Sequence, residues 1–313
     1  VSSRGYFKTN HQIIIEGKGM QLRKATRKKA KIRLGLSAVA GGGKTYSALL
    51  IAKGLCGDWS KIAMIDTENG SGDLYCHLGD YNVLPLQAPY TPEKYIAAIE
   101  ECEKAGMDVI IIDSITHEWD GKGGCLEIVD QITQGSTSKN SYIAWGKVTP
   151  RHQSFIEAML TSKCHIITTV RRKQDYEMSK DEKGKLQVEK AGLKEVTRDG
   201  WEYELTVNLQ LDTSHLAKAS KDRTGLFMDK PEFKPSEDTG RMIAEWCEMG
   251  IDPKIEIEDA IKKLANCNSV EDLTMFKETL SIAVVNDEGF KKAGKERYAQ
   301  IINSKKPDNA TAN

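Results

Sequence analysis

Cysteine pairing is the first thing this 313-residue sequence lacks. Its seven cysteines, Cys56, Cys76, Cys102, Cys125, Cys164, Cys247 and Cys267, are scattered. With no C-x-x-C pair and an odd total, neither a disulfide framework nor a thiolate zinc site is indicated, and a reducing cytoplasm is the expected compartment. Long apolar runs are missing too. Residues 109–112 and 13–15 are among the longest, far short of the roughly 20 residues that span a bilayer, so no transmembrane helix and no membrane partner is expected. No internal repeat is present. Net charge is absent as well, since 45 Lys and Arg balance 45 Asp and Glu. That balance hides a segregation: residues 1–34 hold ten bases against the single acid Glu16, so the head is +9 and the remainder −9. Overall neutrality therefore does not exclude a nucleic-acid partner.

What is present is 39% hydrophobic residues, enough for a real core, in an alternation of strand and helix patterns. Met20, followed by a basic stretch and a strong strand, looks like a natural start, and residues 1–19 are expected to be upstream extension. Residues 1–30 read as a basic arm. From Lys31 an apolar strand reaches Ser37, a Gly-rich turn follows, and a helix carries Leu49, Leu50 and Leu55 on one face. Strands are expected at 61–66, 108–113, 164–170, 203–211 and 215–220. Helices are expected after Thr91-Pro92-Glu93, ending at Gly106, and over 141–162. Residues 176–178 and 186–188 flank Lys183-Gly184 as a β-hairpin. Such uniformly apolar strands separated by helices predict an α/β fold with a mostly parallel sheet covered on both faces. From Thr239 the strand signal vanishes. Residues 239–304 read as a small helical C-terminal module, with Ser269 and Asp272 as a capping box, and 305–313 as a disordered tail.

The sharpest motif is Ala38-Val39-Ala40-Gly41-Gly42-Gly43-Lys44-Thr45, set between a strand and a helix. It matches the P-loop with alanine replacing the first glycine. Glycines let successive backbone N–H groups curl around a phosphate beside the positive end of the following helix. Lys44 is expected to neutralise the β/γ-phosphates and Thr45 to ligate Mg²⁺, so ATP and Mg²⁺ are the expected ligands. Asp113, ending an apolar strand, is the expected magnesium carboxylate. Ser114 follows it where many ATPases carry a glutamate, so the water-activating base must come from elsewhere. Glu68, past the end of the neighbouring strand, is the first candidate and Glu118 the second.

The run Ile65-Asp66-Thr67-Glu68-Asn69-Gly70, with Tyr75 beyond it, resembles the RecA segment that carries a catalytic glutamate and an adenine-contacting tyrosine. Asp113-Ser114 resembles RecA's magnesium-site strand. More closely, residues 31–226 resemble the phage-borne RecA-like AAA-type ATPases of the Sak group, through Ala-Gly-Gly-Gly-Lys-Thr-Tyr-Ser-Ala-Leu-Leu, Pro-Tyr-Thr-Pro-Glu-Lys-Tyr and Ser-Lys-Asp-Arg-Thr-Gly. The resemblance implies a RecA-like ATP-binding domain over 31–238 and ATP hydrolysis linked to single-strand annealing, recombination or replication. It implies that Tyr46 and Tyr75 flank the nucleotide. Thr168 or Thr169 would sense the γ-phosphate. Ser220-Lys221-Asp222-Arg223-Thr224-Gly225 also resembles the K-x-R-x-G motif of RadA and DnaB-type helicases, which implies that Lys221 and Arg223 reach a neighbouring subunit's ATP in a ring or filament. Single-stranded DNA would meet 135–151, with Lys139, Tyr142, Trp145, Lys147 and Arg151, and the hairpin region from Arg171. Phage or host recombination or replication proteins are further expected partners. The alternative from a different class is a nucleotide-switched protein-binding ATPase with no direct DNA contact.

Overall fold

The first apolar run forms β1 (Arg33–Ala38), buried along its whole length. The P-loop follows, then α1 (Lys44–Cys56), β2 (Ile62–Asp66), β3 (Asn82–Pro85), α2 (Pro92–Lys104) and β4 (Val109–Asp113). Next come α3 (Thr116–Asp120), α4 (Cys125–Gly135), α5 (Ser141–Thr161) and the antiparallel pair β5 (His165–Lys180) and β6 (Leu186–Glu195). The short α6 (Trp201–Glu204) leads to β7 (Val207–Leu211), β8 (Ala217–Asp222) and α7 (Glu237–Glu248). In this computed structural model residues 25, 27–180, 186–250, 252–280 and 282–304 are described. The expected extension 1–19, the turn at Lys183-Gly184 and the tail 305–313 lie outside them.

The sheet order is β3-β2-β4-β5-β1-β7-β8, parallel from β3 through β7, with β8 antiparallel at one edge. This is the expected α/β fold with a mostly parallel central sheet. β4 shows why it is covered on both faces. Its side chains alternate, so Val109 and Ile111 join Leu34, Leu36, Leu49 of α1 and Ile243 of α7, while Ile110 and Ile112 join Tyr95 of α2 and Phe155 of α5. Neither face can meet water, and the strand reads as an unbroken apolar run.

Three sequence expectations change. The strand expected over 203–211 begins only at Val207, because Gly200 in the left-handed region opens the turn α6 instead. The edge strand β3 was not foreseen; it is short and only partly buried, so it carries little apolar signal. The domain boundary expected at 238 also moves, since residues 30–248 form one unit. The reason is α7, whose Gly240 and Gly54 of α1 bring the two helix backbones together: a Cβ on Gly240 would lie 2.2 Å from the Ile51 carbonyl oxygen. α7 therefore packs with the sheet domain.

The second unit comprises the described residues up to Lys29 and those within 249–304. It contains α8 (Pro253–Leu264), α9 (Val270–Glu278), α10 (Ile282–Asn286) and α11 (Glu288–Ser304), packed around Leu264, Leu273, Phe290 and Ile301. Ser269 and Asp272 make the expected capping box. The basic arm changes character here. Arg27 donates from Nε to the Met249 carbonyl at 2.7 Å, Lys28 pairs with Glu256, and Lys29 lies 3.4 Å from Asp252. Part of the head's positive charge is thus matched by acids within its own unit.

Candidate active site

The P-loop starts where β1 ends. Gly41 and Gly43 take φ of 76° and 80°, conformations an L side chain rarely adopts, and Gly43 serves as N-cap of α1. Ala38 explains the glycine at 42: a Cβ there would sit 2.6 Å from the Ala38 methyl. The methyl that replaces the motif's first glycine is accommodated because position 42 has none. Lys44 is buried and donates from Nζ to the Val39 carbonyl at 3.1 Å and the Ala38 carbonyl at 3.4 Å, spanning the loop from inside. Burial pushes its ammonium below the ordinary lysine range, while the nearby Asp113 and Glu68 carboxylates oppose that.

Across the loop stands Asp113. β5 lies between β1 and β4, so three parallel strands deliver Ala38, Thr169 and Asp113 to the same sheet edge. Thr45 donates from Oγ1 to Asp113 Oδ2 at 2.6 Å, and Thr169 donates to Oδ1. Burial raises the Asp113 pKa, against those two hydroxyl hydrogen bonds and Lys44. A desolvated carboxylate beside a threonine hydroxyl is an all-oxygen donor set, which fits Mg²⁺. Asp113 and Thr45 would hold that ion and Lys44 the phosphates. Glu68 follows one strand over. Thr67 fixes the spacing, since its hydroxyl donates to the Asp113 carbonyl at 3.1 Å and accepts from the Ser114 N–H at 2.8 Å. Asp66 accepts the Glu68 N–H at 2.6 Å and the Gly72 N–H at 3.2 Å, shaping the turn that carries the glutamate.

The remaining expected residues divide. Tyr46 and Tyr75 do come together, edge to face with centroids 6.0 Å apart. Of the two threonines only Thr169 reaches Asp113. Thr168 donates to the Leu34 carbonyl at 3.3 Å and points to the other face, so the two are not interchangeable. Lys221 donates from Nζ to the Glu202 carbonyl at 2.8 Å, and Arg223 to the Tyr203 carbonyl at 3.0 Å; both cations sit on the α6 turn. Lys221 is opposite Asn208, itself opposite Gly35, so the pair lies toward the end of the sheet away from the P-loop. Glu118, the second candidate base, belongs elsewhere. It is buried with Cys125 and His152 among α3, α4 and α5.

Arg171, where the expected DNA-contacting hairpin region begins, also reaches the site: its Nε and a terminal nitrogen lie 3.0 and 2.9 Å from Glu68 Oε1. Its position directly after the strand ending Thr168-Thr169-Val170 was the available signal. Within 135–151, Trp145 stacks on Trp119 and Arg151 makes a two-pronged ion pair with Glu93 at 2.6 and 2.8 Å. Lys139, Tyr142 and Lys147 remain exposed. A cavity of about 550 Å³ between Trp119, Trp145 and the base of the β5–β6 hairpin holds Lys173, Lys194 and Arg198 against Asp120, Asp175, Glu195 and Asp199, three cations against four acids.

A P-loop joined to a strand-end aspartate describes many nucleotide-binding families, and comparison with known proteins narrows them. A family profile described as "AAA domain" matches residues 30–234, well over half of the chain. This chain belongs to that AAA domain family. The AAA match covers the strands of the sheet domain and stops just before α7. It makes the protein a P-loop ATPase type. No curated protein matches the sequence. Among solved structures, a likeness is found to a prototypical ATPase from the type III secretion system of pathogenic bacteria, at 11% identity, over 86% of this chain and 80% of that one, with a TM-score of 0.33. No described helix is long and apolar enough to cross a membrane.

Proposed function

We propose that this AAA-domain protein is a Mg²⁺-dependent ATPase of the phage RecA-like type that acts on single-stranded DNA in recombination, annealing or replication, assembled as a homo-oligomer. The observation that carries the hydrolytic half is the 2.6 Å link between Thr45 and Asp113 at the mouth of the P-loop, with Glu68 on the adjoining strand end. Loop N–H groups and Lys44 bind and orient the triphosphate. Thr169 and Thr45 hold the Asp113 carboxylate in position. Mg²⁺, when bound there, offsets charge developing on the transferred phosphoryl group. Glu68 removes the proton from the attacking water, and it can do so only once Arg171 lets go of its carboxylate.

Lys221 and Arg223 support assembly. Gly35 lies three residues before Ala38, about 10 Å along β1, so cations in register with Gly35 and beyond lie away from their own P-loop. Their resemblance to the K-x-R-x-G motif implies that they serve a neighbouring subunit's site. Exposed Lys139, Tyr142 and Lys147 support contact with a single strand, as cations beside a stacking side chain. The acid excess in the adjacent cavity argues that the strand runs over this segment and not into the cavity.

The test is ATPase rate with and without single-stranded DNA over a salt series. Stimulation that fades steeply with rising salt is expected, because phosphate contacts release counterions. Loss of turnover in Lys44→Ala must accompany it. The second reading, a nucleotide-switched protein-binding ATPase, draws on the Arg171–Glu68 ion pair, which withholds the base and favours slow turnover. A low rate unchanged by Glu68→Gln, with no DNA binding at low salt, would establish that reading instead.

A further inference from the structure

We propose that Glu118, Cys125 and His152 form a binding site for one zinc-class divalent cation, separate from the nucleotide site. Three elements contribute one ligand-type side chain each: α3 gives Glu118, the first residue of α4 gives Cys125, and α5 gives His152. Their exposures are 1, 0 and 2%. His152 Nδ1 lies 3.0 and 3.1 Å from the two Glu118 oxygens, and Cys125 Sγ 3.1 Å from Oε1. One ligand atom from each residue falls within 4.8 Å of the other two. Around a tetrahedral zinc ion, with bonds of about 2.0 to 2.3 Å, ligand atoms stand roughly 3.3 to 3.8 Å apart. The contacts of the Glu118 carboxylate with His152 and Cys125 fall only a few tenths of an ångström short of that spacing.

Charge and donor chemistry point the same way. A carboxylate this deeply buried needs a compensating charge, and the neighbours touching its oxygens are an imidazole and a thiol. A divalent cation bound by carboxylate, thiolate and neutral imidazole leaves the cluster uncharged. Binding displaces the thiol proton, and any second proton on the imidazole, to water. The oxygen, nitrogen and sulfur set selects a borderline-soft metal over Mg²⁺, which takes oxygen donors, so the two sites would not compete for one ion. Three protein ligands leave a fourth position for water. Trp119 and Leu126, the chain neighbours of Glu118 and Cys125, line the 550 Å³ cavity. Trp119 also sets its ring edge-on to His152, centroids 5.6 Å apart, fixing the imidazole orientation.

The test uses the full-length protein, stripped with a chelator and titrated with Co²⁺. A thiolate-to-cobalt charge-transfer band, saturating at one ion per chain, displaced by Zn²⁺, is expected. It should persist in Lys44→Ala and disappear in Cys125→Ser and His152→Gln. No thiolate band in the wild type would mean a purely hydrogen-bonded triad and overturn the proposal. A band retained by Cys125→Ser would assign the ion to another cysteine and overturn it equally. Should the variants fail to fold, zinc X-ray absorption on the wild type decides alone. One sulfur with nitrogen and oxygen neighbours supports the site, and any other sulfur number rejects it.

Discussion

Asp113 is where stability and activity oppose each other. Its folded pKa is raised by burial, so the native state binds a proton more tightly than the unfolded chain, and stability rises as pH falls through that pKa. The ionised form is a buried charge, a cost that Thr45, Thr169 and Lys44 only partly offset. Asp113→Asn should therefore raise the melting temperature of the nucleotide-free protein, by about 2 to 4 °C per kcal/mol recovered. The same change should cut kcat at least ~100-fold, because the magnesium carboxylate is gone. Thermal melts and steady-state ATPase measurements on one preparation check both halves. A lower melting temperature would mean that the hydroxyl contacts outweigh burial.

At the scale of elements, two contacts hold the site's strands and helices in register. His165 opens β5 with its Nδ1 accepting the Ile32 N–H at 3.2 Å, and burial, with Lys31 and Arg33 nearby, depresses its pKa to about 3. The imidazole is thus neutral in the fold, while the unfolded chain takes up a proton near pH 6.5. The stability His165 contributes is complete above about 6.5 and lost as pH falls from there toward 3. His165→Gln, which keeps an acceptor for Ile32, should flatten the pH dependence of the denaturation midpoint across that window. An unchanged profile would assign acid sensitivity elsewhere. The second contact is the helix pair α1–α7. Gly240→Ala places a methyl against the Ile51 carbonyl, so the helices must separate, at about 1 to 3 kcal/mol. Since α1 carries Lys44 and Thr45, urea titration should show the loss of stability and nucleotide titration a weaker affinity.

For the whole molecule the question is whether the site is finished by a second copy. A heterologous, head-to-tail assembly brings a different surface to each P-loop. Lys44→Ala and Arg223→Ala are each expected to be inactive. Mixed one to one, about a quarter of interfaces would pair an intact P-loop with an intact arginine, and a corresponding fraction of activity should return. No recovery on mixing would confine both residues to their own chain.

The sequence by itself determined the parts whose physics is local. Gly41 and Gly43 have to be glycine for their backbone angles, β4 has to be central because Val109 to Ile112 are all apolar, and Ser269 with Asp272 has to start a helix. It also put Asp113 and Glu68 on neighbouring strand ends, since parallel strands converge at one edge. Only the tertiary structure decided which threonine faces the carboxylate, because that depends on the phase of β5, and one residue's shift reverses it. It decided that Arg171 holds Glu68, and that Glu118 lies with Cys125 and His152, partners 7 and 34 residues away along the chain. Cysteine spacing excluded paired thiolates, yet a thiol can meet a carboxylate and an imidazole through packing of three helices, and no spacing rule records that.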